Sequence, residues 1–144
     1  MFSIEIKKDI VSSFSLTAAD EILCHEEVVK DRYESLLKYL RSLKPYAILP
    51  SVIICNETNV IIDGHHRYHS LIDLGMNNIP TTRIDYSNDS IIADLDNKIS
   101  KEEIISAGIN KELLKPKSSF HHILDVNGKP NPIILLSTIC KLDF

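Results

Sequence analysis

Long apolar runs are missing from this chain. No segment approaches the ~20 consecutive apolar residues that a membrane span requires. The opening residues also lack the basic-then-apolar layout of a secretory signal, so a cytoplasmic protein is expected. Cysteine is scarce: Cys24, Cys55 and Cys140 stand far apart and fit neither a disulfide framework nor paired zinc ligands. Each reads as a small buried apolar side chain. No repeat, low-complexity tract or Gly/Ser linker divides the chain, so residues 1–144 are expected to form a single domain. There is no basic excess either. Sixteen Lys and Arg face twenty Asp and Glu, a formal charge of −4, which argues against a protein that lives on nucleic-acid backbone. The Gly-x-x-x-x-Gly-Lys-Ser/Thr loop and the kinase Gly-rich loop are both absent.

What is present is concentrated in Val60-Ile61-Ile62-Asp63-Gly64-His65-His66-Arg67-Tyr68. Three β-branched residues predict a short buried strand. Tyr68, Leu71, Ile72 and Leu74 then take helical spacing, with Gly75 as a stop. The polar cluster therefore falls on a strand-to-helix junction, where the first helical N–H groups lack partners and favour anions. Arginine beside such a junction suits phosphate or carboxylate.

Around this stretch the pattern predicts an opening strand at Phe2–Ile6, a polar break at Ser12–Ser15, and a helix from about Lys30 to Leu43 with Tyr33, Leu36, Leu37, Leu40 and Leu43 on one face. Pro50–Cys55 and Val60–Ile62 read as a β-hairpin around Asn56-Glu57-Thr58-Asn59. Ile79–Tyr86 reads as a strand that completes a crossover unit. Ile91–Leu95 is compatible with helix or strand. Ser100 and Glu103 form a capping box for a helix that Gly108 would stop. Ile133–Leu136 reads as a last buried strand.

Three polar clusters flank these apolar runs: His25-Glu26, Asp63 to Arg67, and Lys117-Ser118-Ser119-Phe120-His121-His122. Glu26 and Glu27 are equally what a helix N-terminus favours, and the third cluster is equally a polar loop. Together they offer the parts that phosphoryl transfer needs: donors for charged oxygens, a carboxylate for a base or a metal, and groups to orient an acceptor. A zinc site on His65 and His69, at i and i+4, is the weaker competitor, because no third ligand of suitable spacing accompanies the pair.

Asp63-Gly64-His65-His66-Arg67 resembles the strand-to-helix motif of the ParB/sulfiredoxin-like superfamily. The cysteine that sulfiredoxins carry there is missing, as is the Gly-Glu-Arg-Arg pattern of ParB proteins. The match is closer to the free L-serine kinase branch, which shows a His-Glu pair, an Asp-Gly-His-His-Arg motif and a Pro-Lys-Ser/Thr-Thr-x-His segment. His25-Glu26, Asp63 to Arg67 and Pro116 to His121 stand in the same order here. The resemblance implies an α/β (α+β) fold, a small mixed sheet with flanking helices, and phosphorylation of free L-serine to O-phosphoserine.

Carried over by position, Glu26 would be the general base with His25 and Asp63 beside it. Gly64, His65, His66 and Arg67 would hold phosphate, and Lys117, Ser118, Ser119 and His121 would hold serine. Asp63 would bind Mg²⁺ or cap the helix. Phe120 stands where that motif usually carries Arg, with His122 as the nearby side chain able to stand in. A compact oxyanion site suits pyrophosphate as donor, with ADP or ATP as the other choices the branch uses. The rival expectation is a ParB-like module that binds nucleotide or DNA without turnover.

Overall fold

The computed structural model describes residues 3–144. Its centre is a four-stranded mixed sheet in the order β1 (Val11–Ala18), β5 (Asn78–Ile84), β3 (Val52–Cys55), β4 (Ile61–Asp63). Strands β3 and β4 form the expected hairpin, and β5 runs parallel to β3. The crossover therefore joins parallel β3 and β5, passing through β4 and helix α2 (His65–Asp73) on the way.

Both faces of β3 and β4 are covered, which explains why these strands are apolar runs rather than alternations. Ile53, Cys55, Val60, Ile62 and Ile84 pack into one layer with Tyr86, Ile104, Ile123 and Ile133. Val52, Ile54, Ile61 and Ile79 pack into the other with Leu40, Leu49, Tyr68, Leu71 and Leu142. The second layer carries α1 (Lys30–Ser42), α2, and a ribbon of β2 (Tyr46–Pro50) with β9 (Ile139–Asp143). The first carries α3 (Lys101–Asn110) and a small sheet of β6 (Ile91–Ile92), β7 (His122–Leu124) and β8 (Pro130–Pro132). A small mixed sheet with flanking helices is thus what forms. No helix among the described residues is long and apolar enough to cross a membrane.

Several expectations need correction. Ser3–Ile6 forms no strand, and Phe2 lies outside the described residues. Ser12–Ser15 is no break but part of β1, an edge strand exposed over most of its length. Pro50 belongs to β2, and Ser51 separates that strand from β3 in a different sheet. Ile133–Leu136 is a 3-10 turn, entered from Pro132, and the last strand is β9. The capping box forms, with Ser100 Oγ accepting from the Glu103 N–H and Glu103 Oε2 from the Ser100 N–H.

Gly108 does not stop α3. It lies buried inside it, where an added Cβ would stand 2.6 Å from Val60 Cγ2. Lys111 ends the helix instead, in a left-handed conformation at φ 56°.

Candidate active site

Backbone hydrogen bonds bring the three clusters together. Residue 23 bridges to Val60, with the Leu23 N–H donating to Asn59 and the Ile61 N–H to Leu23. Further along the segment, the Leu114 N–H donates to His25 O and the Glu27 N–H to Leu114 O, each at 2.9 Å. The 23–27 segment is thereby stitched to β4 on one side and to the approach of the Lys117–His122 loop on the other. Helix α1 starts only at Lys30, so Glu26 is not a first-turn acid; it faces a cleft.

That cleft, of about 850 Å³, is lined by Glu26, Asp63, Gly64, His65, His66, Arg67, Lys117, Ser119, Phe120 and His121. Gly64 sits at φ 108°, a turn that β4 needs to feed α2 and that side chains resist. A Cβ there would lie 2.8 Å from Arg67 Nη2. No side chain caps α2, so Asp63 is not the helix cap. Its Oδ2 instead accepts from Arg67 Nη2 at 2.9 Å, and Nη2 also donates to Ser51 O. Arg67 Nε is buried and has no partner among the described residues, an orphan donor that a ligand oxygen would pair.

The two motif histidines are acceptors toward the 25–29 segment. His65 Nε2 accepts from the His25 N–H at 3.1 Å, and His66 Nε2 from the Val29 N–H at 3.0 Å. In each neutral ring the proton is therefore on Nδ1, leaving that N–H as the donor. Burial lowers the pKa of both, and the Arg32 guanidinium also pushes His66 down.

Glu26 Oε2 lies 3.3 Å from both the Ser119 N–H and Ser119 Oγ. Burial raises its pKa above the ordinary glutamate value, opposed by hydrogen bonds from the 117–119 backbone and the Ser119 hydroxyl. His25 is fully buried. Its Nδ1–H donates to Ile61 O at 2.6 Å and its Nε2 faces Ser119 Oγ at 3.1 Å. His121 is buried on Tyr86, Oη to Nε2 2.7 Å. Ser118 is the exception among the expected residues. It does not line the cleft, and its hydroxyl donates to Lys115 O. His122, the stand-in for a missing Arg, turns Nδ1 to Phe120 O and stays outside the cleft.

The far wall of the cleft comes from residues outside the three polar clusters. Arg32, Leu36, Tyr39 and Leu40 of α1 line the cleft with Ile48, Leu49 and Pro50 of β2 and Ile134. Their signal was available as i, i+4, i+7, i+8 spacing on α1, but it merges with the core-facing stripe. The cleft thus joins a cationic, N–H-rich floor to an apolar wall. Among the described residues no three His, Cys, Asp or Glu side chains cluster as a metal cage. A cation here would need ligand oxygens to complete its shell.

No protein-family model matches the chain. It is 31% identical over 78 residues to an ATP-dependent L-serine kinase of Staphylothermus marinus, covering 53% of this chain and 31% of that protein. A ParB-like protein of Sulfolobus acidocaldarius is 34% identical over 67 residues, 46% of this chain and 32% of the relative. Among solved structures, a free serine kinase variant in complex with AMP matches at 23% identity, over 65% of this chain and 38% of the other, with a TM-score of 0.49. The chain spans about a third of the length of the curated relatives it matches. The resemblance that its motifs carry is borne out: over about half its length the chain is similar to L-serine kinases and to a ParB-like protein.

Proposed function

We propose that the chain transfers a phosphoryl group from a nucleotide to the hydroxyl of free L-serine, with Glu26 as general base. One observation carries this: a carboxylate with a raised pKa shares its cleft with an uncapped helix N-terminus and a half-orphaned arginine. Donor phosphates lie over the α2 N-terminus, where backbone N–H groups, the Nδ1–H of His65 and His66, and Arg67 meet their oxygens. Arg32 and Lys117 add positive charge at the edge. The acceptor serine lies against Ser119 and His121. Its hydroxyl proton passes to Glu26 as the new O–P bond forms and the donor's bridging P–O bond breaks.

The apolar wall with Tyr39 favours a nucleotide over pyrophosphate, because pyrophosphate has no surface to bury there. The names of the similar proteins point the same way. Asp63 fits a magnesium ion of the kind that phosphates bring: Oδ2 is tied to Arg67, and Oδ1 makes no hydrogen bond among the described residues. Such an ion is held by one or two carboxylates plus phosphate oxygens and water, and it would neutralise donor charge.

The test is product analysis by mass spectrometry. The protein is incubated with L-serine, Mg²⁺ and ATP, ADP or pyrophosphate in separate tubes. O-phosphoserine is expected with a nucleotide; formation with pyrophosphate alone would reverse the donor assignment. A DNA-binding module instead predicts no product, and duplex affinity that falls steeply with salt.

A further inference from the structure

Ser119 is placed as an activated hydroxyl. Its Oγ lies 3.1 Å from His25 Nε2 and 3.3 Å from Glu26 Oε2. A carbonyl can only accept, so the 2.6 Å contact to Ile61 O fixes the His25 proton on Nδ1 and leaves a lone pair on Nε2. Burial lowers the His25 pKa to about 4, which keeps that lone pair at neutral pH. Hydroxyl, imidazole and an orienting acceptor stand in line, the arrangement that activates serine nucleophiles; here a backbone carbonyl takes the orienting place. Ser119 is only half-buried and lines the cleft that reaches the α2 N-terminus. The single Ser119 hydroxyl hydrogen has two acceptors within reach, Glu26 Oε2 and His25 Nε2, and the His25 lone pair is the one not assigned to the substrate's hydroxyl.

We propose that Ser119 is a site of self-phosphorylation, taking a phosphoryl group from the donor in the cleft when no free hydroxy acid fills the acceptor position. The inference rests on the reading above for its donor, a nucleoside di- or triphosphate. The Ser119 Oγ–P bond forms as the bridging P–O bond of the donor breaks. The shortened nucleotide leaves with that electron pair, and the hydroxyl proton moves to His25 Nε2. The product sets a phosphate, about −1.5 to −2 in charge, beside the Glu26 carboxylate and fills the acceptor space. Phosphorylated chains transfer to serine slowly, and added L-serine protects Ser119.

Intact-mass spectrometry of the full chain with Mg²⁺ and ATP, ADP or pyrophosphate, without serine, reads this directly. The expected result is a gain of ~80 Da for one added phosphoryl group, assigned to Ser119 by peptide fragmentation and reduced by L-serine. Because the assignment comes from the wild-type chain, it holds even if Ser119→Ala fails to fold. If that variant does fold, it should stay unmodified, whereas Ser119→Thr should retain the label. No mass gain in any tube, or a phosphate mapped to another residue, overturns the inference. The two readings fail separately. O-phosphoserine formed from free serine, with Ser119 unmodified in the serine-free tubes, overturns self-phosphorylation alone. A modified Ser119 with no O-phosphoserine formed supports it and overturns the serine-transfer reading.

Discussion

Glu26 is held for ionisation changes rather than for stability alone: its carboxylate accepts from Ser119 and faces a cleft, while burial raises its pKa. Glu26→Gln keeps the shape and loses the proton acceptor, so turnover should drop by about 10²–10⁴-fold with donor affinity, read by calorimetry, little changed. The pH profile follows from the same group. In the proposed role Glu26 must be deprotonated, so kcat/KM should rise with pH through an acid limb above the ordinary value of 4.5. Glu26→Gln should lack that limb. At this scale the contiguous motif was legible, because Asp63 to Arg67 carry their chemistry side by side. The meeting of Glu26 with Ser119, 93 residues apart, was legible only through the order of motifs in a resembling family. Ser118 misled, because a hydroxyl in a loop turns as readily to a local carbonyl as to a ligand.

Gly108 of α3 packs on Val60, the residue just before β4, and leaves no room for a side chain between them. Gly108→Ala would force a methyl group to 2.6 Å from Val60 Cγ2, so denaturant titration should show a loss of about 1–3 kcal/mol. Val60→Ala in the same chain should recover part of that loss, although alone it destabilises. Gly64→Ala combines a strained φ of 108° with a clash on Arg67, and donor binding should weaken more than overall stability does. Elements with local signals were readable: the capping box, the β3–β4 hairpin and the α1 stripe. Gly108 read as a stop because glycine is common at helix ends, and nothing local announces the Val60 side chain pressing on it. Strand β2 and the turn at Ile133–Leu136 were misassigned for a related reason. A short apolar run does not say which sheet it joins.

The molecule as a whole buries His25, His65 and His121 between its layers, all with lowered pKa, His25 to about 4 and His121 to about 3. Above the ordinary histidine value of 6.5 both folded and unfolded chains are neutral at these positions. As pH falls below it, the unfolded chain takes up protons that the folded chain refuses, so stability declines toward pH 4 and 3. The raised pKa of Glu26 opposes this only in a window just above 4.5. Across the full range His25 and His121 stand to cost on the order of 3 and 5 kcal/mol respectively; the melting temperature should therefore be several degrees lower at pH 5 than at pH 7.5. A flat profile would mean that the rings are solvated. These layers converge on one claim, that Glu26 activates free serine for phosphoryl transfer. ³¹P NMR of the wild-type and Glu26→Gln proteins with Mg²⁺, L-serine and ATP or ADP tests it most directly. A phosphoserine resonance should grow with wild type and be nearly absent with the variant. Folded wild-type protein that gives no such resonance, or a variant that matches it, would rule out Glu26-assisted transfer to serine.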